Sequence, residues 1–191
     1  MKLAKIRDDE TTVYGPAEDS ALLATAVEED LDQVDLVLDV GTGSGYVGRR
    51  VAEATGARVV GTDINPMACR QARANRVEPV IGDLVSPFKR DTFDAVLFNP
   101  PYLPAVDDIE LDKWFETAVT GGDSGRAVIN RYLDDVGRVL IPEGRAYLLI
   151  SSLTGMDAIV DRASDNRLDV DVISRVDYPG EALLVLRLRP N

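Results

Sequence analysis

Four polar residues sit where short apolar runs stop: Asp39 in LVLDV, Asp63 in GTD, Asp83 in IGD and Asn99 in LFN. Open parallel sheets bind ligands beyond the C-terminal ends of their strands, so four such residues in register describe the rim of a pocket. A glycine-rich turn, GTGSG (41–45), follows Asp39 directly and leads into a segment at helical spacing. Glycines there let the backbone turn tightly and approach a ligand, while the helix N-terminus offers free N–H groups. Asp63 lies about 20 residues on, where an acid meets ribose hydroxyls in nucleotide-binding folds. Asn65 and Pro66 come next, so a helix cap competes as a role for Asp63. The fourth position is a hard stop: in FNPPYLP (98–104) two prolines lack the N–H that would continue a ladder. A carboxamide is thus left at the tip of a buried strand.

The elements that must position these residues alternate along the chain. Pro16 and AEDSALLATAVEE read as a helix with acids in its first turn. Strands are expected at 35–40, 57–63, 77–83 and 93–99, separated by YVGRRVAEAT and NPMACRQARANR as helices. SGRAVINRYLDDVGRVL (124–140) is a long amphipathic helix, GRAYLLIS (144–151) a fifth strand, and a helix runs from about Gly155 to Arg167. LDVDVIS and EALLVLRLR, joined by YPGE (178–181), read as an antiparallel hairpin at one edge. Strands alternating with helices predict an α/β fold, a parallel sheet with helices on both faces. No repeat, linker or low-complexity segment divides the chain, so residues 1–191 are expected to form one domain.

Composition removes several function classes. With no histidine and a single cysteine, Cys69, there is no His-based triad, no Cys- or His-rich metal site and no internal disulfide. No run is long enough to span a membrane, and the first ten residues lack a signal peptide's apolar core, so a cytoplasmic protein is expected. The net charge is −12, built from 23 Asp, 10 Glu, 17 Arg and only 4 Lys. Strong negative charge with few lysines points to a salt-loving source, where brine screens the repulsion. It also argues against a duplex nucleic-acid binder.

A dehydrogenase fingerprint, GxGxxG, is not matched by GTGSG. The chain instead resembles class I S-adenosylmethionine-dependent methyltransferases, and among them the HemK-related glutamine methyltransferases of the short archaeal and eukaryotic form. VYGPAEDS (13–20), LDVGTGSG (38–45), GTDINPMA (61–68), GDLVSP (82–87), FNPPYLP (98–104) and GGDSGRAVINRYL (121–133) carry the resemblance. It implies a Rossmann-like sheet of seven strands in the order 3-2-1-4-5-7-6, with strand 7 antiparallel. It also implies roles at the site. Ser20 would reach the cofactor from the first helix, and Asp39 and Gly41 would border its methionine moiety. Asp63 would hold the ribose, Asp83 and the Leu84 backbone the adenine, and Asn99 would touch the methyl end. Asn99, Pro100 and Tyr102 would form the catalytic and substrate-binding box.

The box has a chemical rationale. A carboxamide nitrogen is a poor nucleophile because its lone pair is delocalised into the carbonyl. Two acceptors, the Asn99 side-chain oxygen and the Pro100 main-chain carbonyl, can favour pyramidal geometry at that nitrogen, and Tyr102 can wall the planar group. No general base is needed for the transfer itself. By resemblance the acceptor is the glutamine of the Gly-Gly-Gln loop in a class I release factor. The alternatives are an adenine N6-methyltransferase of nucleic acid, a lysine methyltransferase, or an inactive scaffold. Bacterial relatives carry an N-terminal helical domain that is not expected here. The short relatives instead work with a small zinc-containing activator that adds a strand beside strand 3, for which VEPVI (77–81) is the candidate edge, limited to one side by Pro79. Glu18, Asp19, the GGDS segment (121–124) and Trp114 are weaker candidates for the substrate mouth, each with a capping or packing role as the plainer reading. Cys69 is expected to be a small packed residue.

Overall fold

A computed structural model describes residues 18–100 and 126–191. Helix α1 is Glu18–Asp30, followed by β1 (Leu36–Val40), α2 (Tyr46–Thr55), β2 (Arg58–Asp63), α3 (Pro66–Ala74), β3 (Glu78–Ile81) and β4 (Phe93–Phe98). After the second described segment begins come α4 (Ala127–Val139), β5 (Leu140–Ser151), a 3-10 turn (Ser152–Thr154), α5 (Met156–Asp165), β6 (Leu168–Tyr178) and β7 (Glu181–Pro190). The strands form one sheet in the order β3-β2-β1-β4-β5-β7-β6. Pairings from β3 to β5 are parallel, and β7 runs antiparallel to both β5 and β6. This is the order that the family resemblance implies.

Period-2 alternation divides each strand between two cores. Val37, Val59, Ala95, Leu97, Tyr147 and Leu149 face Leu23, Val27, Val47, Val51 and Ala72 of α1–α3. Leu38, Val40, Val96, Phe98, Leu148 and Ile150 face Ile129, Tyr132, Leu133, Val136 and Ile159 of α4 and α5. Ile129, Tyr132, Leu133 and Val136 recur at helical spacing and are fully buried. Each contributes about 1.5–3 kcal/mol of burial, more than any intrinsic helix propensity, and this stripe fixes α4 against the sheet.

Several boundaries differ from the sequence expectation. β3 stops at Ile81 rather than Asp83, because Gly82 opens a turn in which Leu84 takes a left-handed φ of 49°. β5 begins at Leu140, directly after α4, instead of at Gly144: Leu140 pairs with Phe93, and the register then jumps so that Ala95 meets Arg145. The helix expected from Gly155 is preceded by the 3-10 turn and starts at Met156. β6 continues to Tyr178, because the hairpin closes on a Tyr178–Glu181 pair around Pro179 and Gly180, whose φ is 86°. The start of the first helix at Pro16 lies outside the described residues.

Candidate active site

Register places the rim. Asp39 on β1 is level with Gly61 on β2 and Leu97 on β4, and Asp63 at the end of β2 is level with Ile81 of β3. Asn99 follows Phe98, the partner of Val40, and Asp83 lies two residues beyond Ile81. All four therefore stand at one end of the sheet, Asp39 and Asp63 in the last positions of β1 and β2, Asp83 and Asn99 just past β3 and β4.

Asp39 is buried and governs the glycine turn. Its Oδ2 accepts the Thr42 hydroxyl at 2.7 Å and the Gly48 amide at 3.1 Å, tying the loop to the first turn of α2. Burial, with Asp63 nearby, lifts its carboxyl to about 6, although both hydrogen bonds pull the other way. Thr42 packs so closely over β2 that a Cβ on Gly61 would lie 2.8 Å from its side chain. Gly41 itself turns at a φ of 60°, beside the Phe98 ring.

Asp63 crosses from β2 to the same loop. Its Oδ2 accepts the Gly43 amide at 3.0 Å and its Oδ1 the Asn65 amide at 2.8 Å. Burial raises its pKa, against those two bonds. The cap of α3 is a different residue, since the Asn65 side chain accepts the Met67 amide at 2.8 Å and Pro66 occupies the first turn. The competing role for Asp63 is thus filled by its neighbour. Its carboxylate still has lone pairs to accept a ligand's hydroxyls.

Asn99 and Ser20 meet across 79 residues: the Asn99 Nδ2 donates to the Ser20 Oγ at 3.1 Å. The Asn99 Oδ1 is buried and has no hydrogen-bond partner among the described residues. A buried acceptor left unpaired costs about 1–3 kcal/mol, and such an atom marks a place made for a donor. Pro100 is buried beside it, whereas Tyr102, Trp114 and GGDS lie outside the described residues.

At the far side of the rim, Asp83 is half exposed and accepts the Arg131 guanidinium of α4. Leu84, next to it, is the residue with left-handed backbone. Of the weaker candidates, Glu18 accepts the Tyr178 hydroxyl at 3.3 Å, and Asp19 is buried with its Oδ1 on the Ser20 amide at 2.7 Å. Cys69 is buried under α3, its thiol pushed up by burial, as expected of a packed residue. Arg131, Thr42 and Arg126 were not singled out from the sequence. Thr42 was within the glycine motif and its hydroxyl was the available signal. Arg126 donates to the Thr154 carbonyl at 2.7 Å, which ties the start of α4 to the turn after β5. Nothing local to Arg126 or Arg131 signals a partner 28 or 48 residues away.

A family model for a methyltransferase domain matches residues 37–122. A Methanocaldococcus jannaschii protein, provisionally named a protein N5-glutamine methyltransferase, is 34% identical over 181 residues, which cover 91% of this chain and 90% of that protein. The Mus musculus methyltransferase HEMK2 is 39% identical over 151 residues, covering 72% of this chain and 71% of the mouse protein. Among solved structures, the E. cuniculi Mtq2–Trm112 complex, responsible for methylation of the eRF1 translation termination factor, matches with a TM-score of 0.78. The match is 27% identical and covers 94% of this chain and 99% of the other.

The cofactor of such enzymes, S-adenosylmethionine, fits the residues described. Buried Asp39 and partly buried Asp63 have no cationic partner among the described residues, which suits a cationic ligand, and among the same residues the Asn99 Oδ1 is unpaired. This chain belongs to the family of S-adenosylmethionine-dependent protein N5-glutamine methyltransferases.

Proposed function

We propose that the chain methylates the side-chain amide nitrogen of a glutamine, the Gly-Gly-Gln glutamine of a class I release factor. The observation that carries this reading is the buried Asn99 Oδ1, unpartnered among the described residues, on an amide whose Nδ2 is already held by Ser20. With its nitrogen anchored, the Asn99 side chain cannot rotate freely, so its oxygen is a fixed acceptor. Together with the Pro100 carbonyl it binds the two N–H groups of the substrate amide and draws the nitrogen lone pair out of conjugation. Tyr102 walls the amide plane. Bound S-adenosylmethionine supplies an electrophilic methyl group, so the protein has to orient the nitrogen rather than deprotonate it first. Ser20, Asp39 and Gly41 border the methionine end of the cofactor, Asp63 holds the ribose, and Asp83 with the Leu84 main chain holds the adenine.

The catalytic chain works as one half of a heterodimer with a small zinc-containing activator, which adds a strand at β3. Support comes from β3 itself, among the described residues an edge strand paired with β2 alone, on which Ile81 is 62% exposed, while Met67 of the adjacent α3 is 45% exposed. Exposed apolar side chains at an unpaired edge are what a strand-adding partner covers. Among the described residues no helix is long and apolar enough to cross a membrane. The acidic, lysine-poor composition supports a salt-rich cytoplasm, to be checked by a melting temperature that rises with molar potassium chloride.

The test is transfer of labelled methyl groups to a release factor, with the activator present, followed by mass-spectrometric mapping of the modified residue. Methylation at the Gly-Gly-Gln glutamine is expected. Asn99→Ala should lower the rate by roughly 10²–10³ while cofactor affinity changes little. Preferred methylation of an adenine oligonucleotide or of lysine would overturn the substrate assignment, and wild-type activity in Asn99→Ala would overturn the role of the carboxamide.

A further inference from the structure

Two arginines on one face of α4, seven residues apart, reach the same turn after β3. Arg138 donates to the carbonyls of Phe88 at 2.6 Å and Val85 at 3.1 Å, and its own orientation is set by Asp135 at 2.7 and 2.8 Å. It satisfies main-chain acceptors and holds the turn to the helix. Arg131 does something else. Among the described residues it addresses no carbonyl of the turn, only the carboxylate of Asp83, through Oδ2. Both side chains of that pair are well hydrated, at 58% and 50% exposure, and an ion pair so exposed adds little to stability. The turn is already secured by Arg138 and by its own Ser86–Asp83 and Phe88–Val85 bonds. A stabilising role therefore does not account for Arg131.

We propose that Arg131 is a positioning residue for recognition of the cofactor's base, acting through Asp83. The proposal rests on the assignment of Asp83 to the adenine. A free aspartate on an exposed turn rotates about its side-chain torsions, and either oxygen can face the ligand. With Oδ2 engaged by a guanidinium whose helix is anchored in the core through the neighbouring Tyr132 and Leu133, the carboxylate plane is fixed. Oδ1 is then left to accept from a donor. Adenine presents an exocyclic amine, a donor, where hypoxanthine presents a carbonyl, which an ionised carboxylate repels. A fixed carboxylate reads that difference, and a rotating, water-solvated one reads it less well. Arg131 thus acts on base selectivity and not on the chemistry of transfer.

The experiment is calorimetric binding of S-adenosylhomocysteine and of its inosine counterpart to the full chain, in wild type, Arg131→Ala, Arg131→Lys, Asp83→Asn and the Arg131→Ala/Asp83→Asn double variant, with melting temperatures for each. Wild type should prefer the adenine compound. Arg131→Ala should weaken that compound roughly tenfold, the size of one charge-assisted contact, while leaving the inosine compound nearly unchanged. The melting temperature should stay at the wild-type value. Arg131→Lys should restore the preference only in part, because a strongly hydrated ammonium on a flexible stem holds the one oxygen less firmly. The double variant should discriminate no worse than Asp83→Asn alone. Equal weakening of both compounds, or a lowered melting temperature in Arg131→Ala, would assign the arginine a purely structural role and overturn the proposal. If Arg131→Ala binds like wild type while Asp83→Asn loses the preference, the proposal fails and the adenine assignment stands. If Asp83→Asn also keeps the preference, the assignment itself fails.

Discussion

Asp30 and Asp39 are nine positions apart, and both carboxylates are largely withdrawn from water, yet their partners differ in kind. Asp30 closes α1, where a negative charge opposes the helix dipole. It is met by the Tyr147 hydroxyl at 2.8 Å, by Arg187 at 2.6 Å and by Arg145 at 3.7 Å, so its charge is neutralised inside the protein. Burial, with Asp30 adjacent, raises the Tyr147 hydroxyl's pKa, so the phenol stays a donor. Asp39 has a hydroxyl and a backbone amide, and Asp63 two backbone amides; none of these carries charge. The first arrangement ties α1 to β5 and β7. The second fixes direction but, among the described residues, brings no cation to either carboxylate, at a cost to the fold; under the proposed function a cationic cofactor completes it. The charge of what each acid touches, not its burial, separates the two arrangements.

The largest effect that would break this contrast is at Asp39. Its folded pKa of about 6 is above the ordinary aspartate value of 3.8. The stability from this group is therefore fully present below about pH 4 and lost as pH rises through about 6, a loss on the order of 3 kcal/mol. Asp39→Asn can keep both bonds on a single oxygen without the charge. It should melt higher than wild type at pH 8, with the gain shrinking below pH 5, and should bind cofactor more weakly. Cofactor affinity of wild type should fall as pH drops through 6. Equal melting temperatures across that range would show that Asp39 carries no uncompensated charge.

Next in size is Asp63→Ala, which removes acceptors for a ligand and the tether of Gly43. Cofactor binding should weaken by roughly 1.5–3 kcal/mol, read by calorimetry. Unchanged affinity would return Asp63 to a purely local role beside Asn65. The smallest of the three effects is expected at Asp30. Asp30→Ala should lower unfolding free energy by about 1–2 kcal/mol, because Arg187 retains Asp171 at 3.0 Å as a second partner. Chemical denaturation measures this, and cofactor affinity should stay within about twofold. A large affinity loss would mean that α1, through Ser20, couples the two regions.

The parallel sheet, its terminal hairpin and the rim were legible because each follows from local pattern, whereas the strand order came from the family resemblance. Alternating apolar residues end at a polar one, glycines follow where the chain must turn, and paired prolines stop a strand. Boundaries were less legible. The turn after β3 depends on a left-handed Leu84, a residue type with no local preference for that conformation, and the early start of β5 depends on Phe93 pairing with Leu140 across a register jump.

The sequence by itself therefore determined which residues stand at the strand ends and which turn lies between them, since spacing of two or of three to four residues dictates which side of a strand or helix a side chain faces. Tertiary structure alone decided what each of those residues touches. Ser20 lies 79 positions from Asn99, Arg131 48 from Asp83, and Arg187 157 from Asp30. No periodicity records such pairings, because they are made by the packing of whole helices against the sheet. Through them the fold assigns one aspartate two arginines and another, among the described residues, only neutral donors.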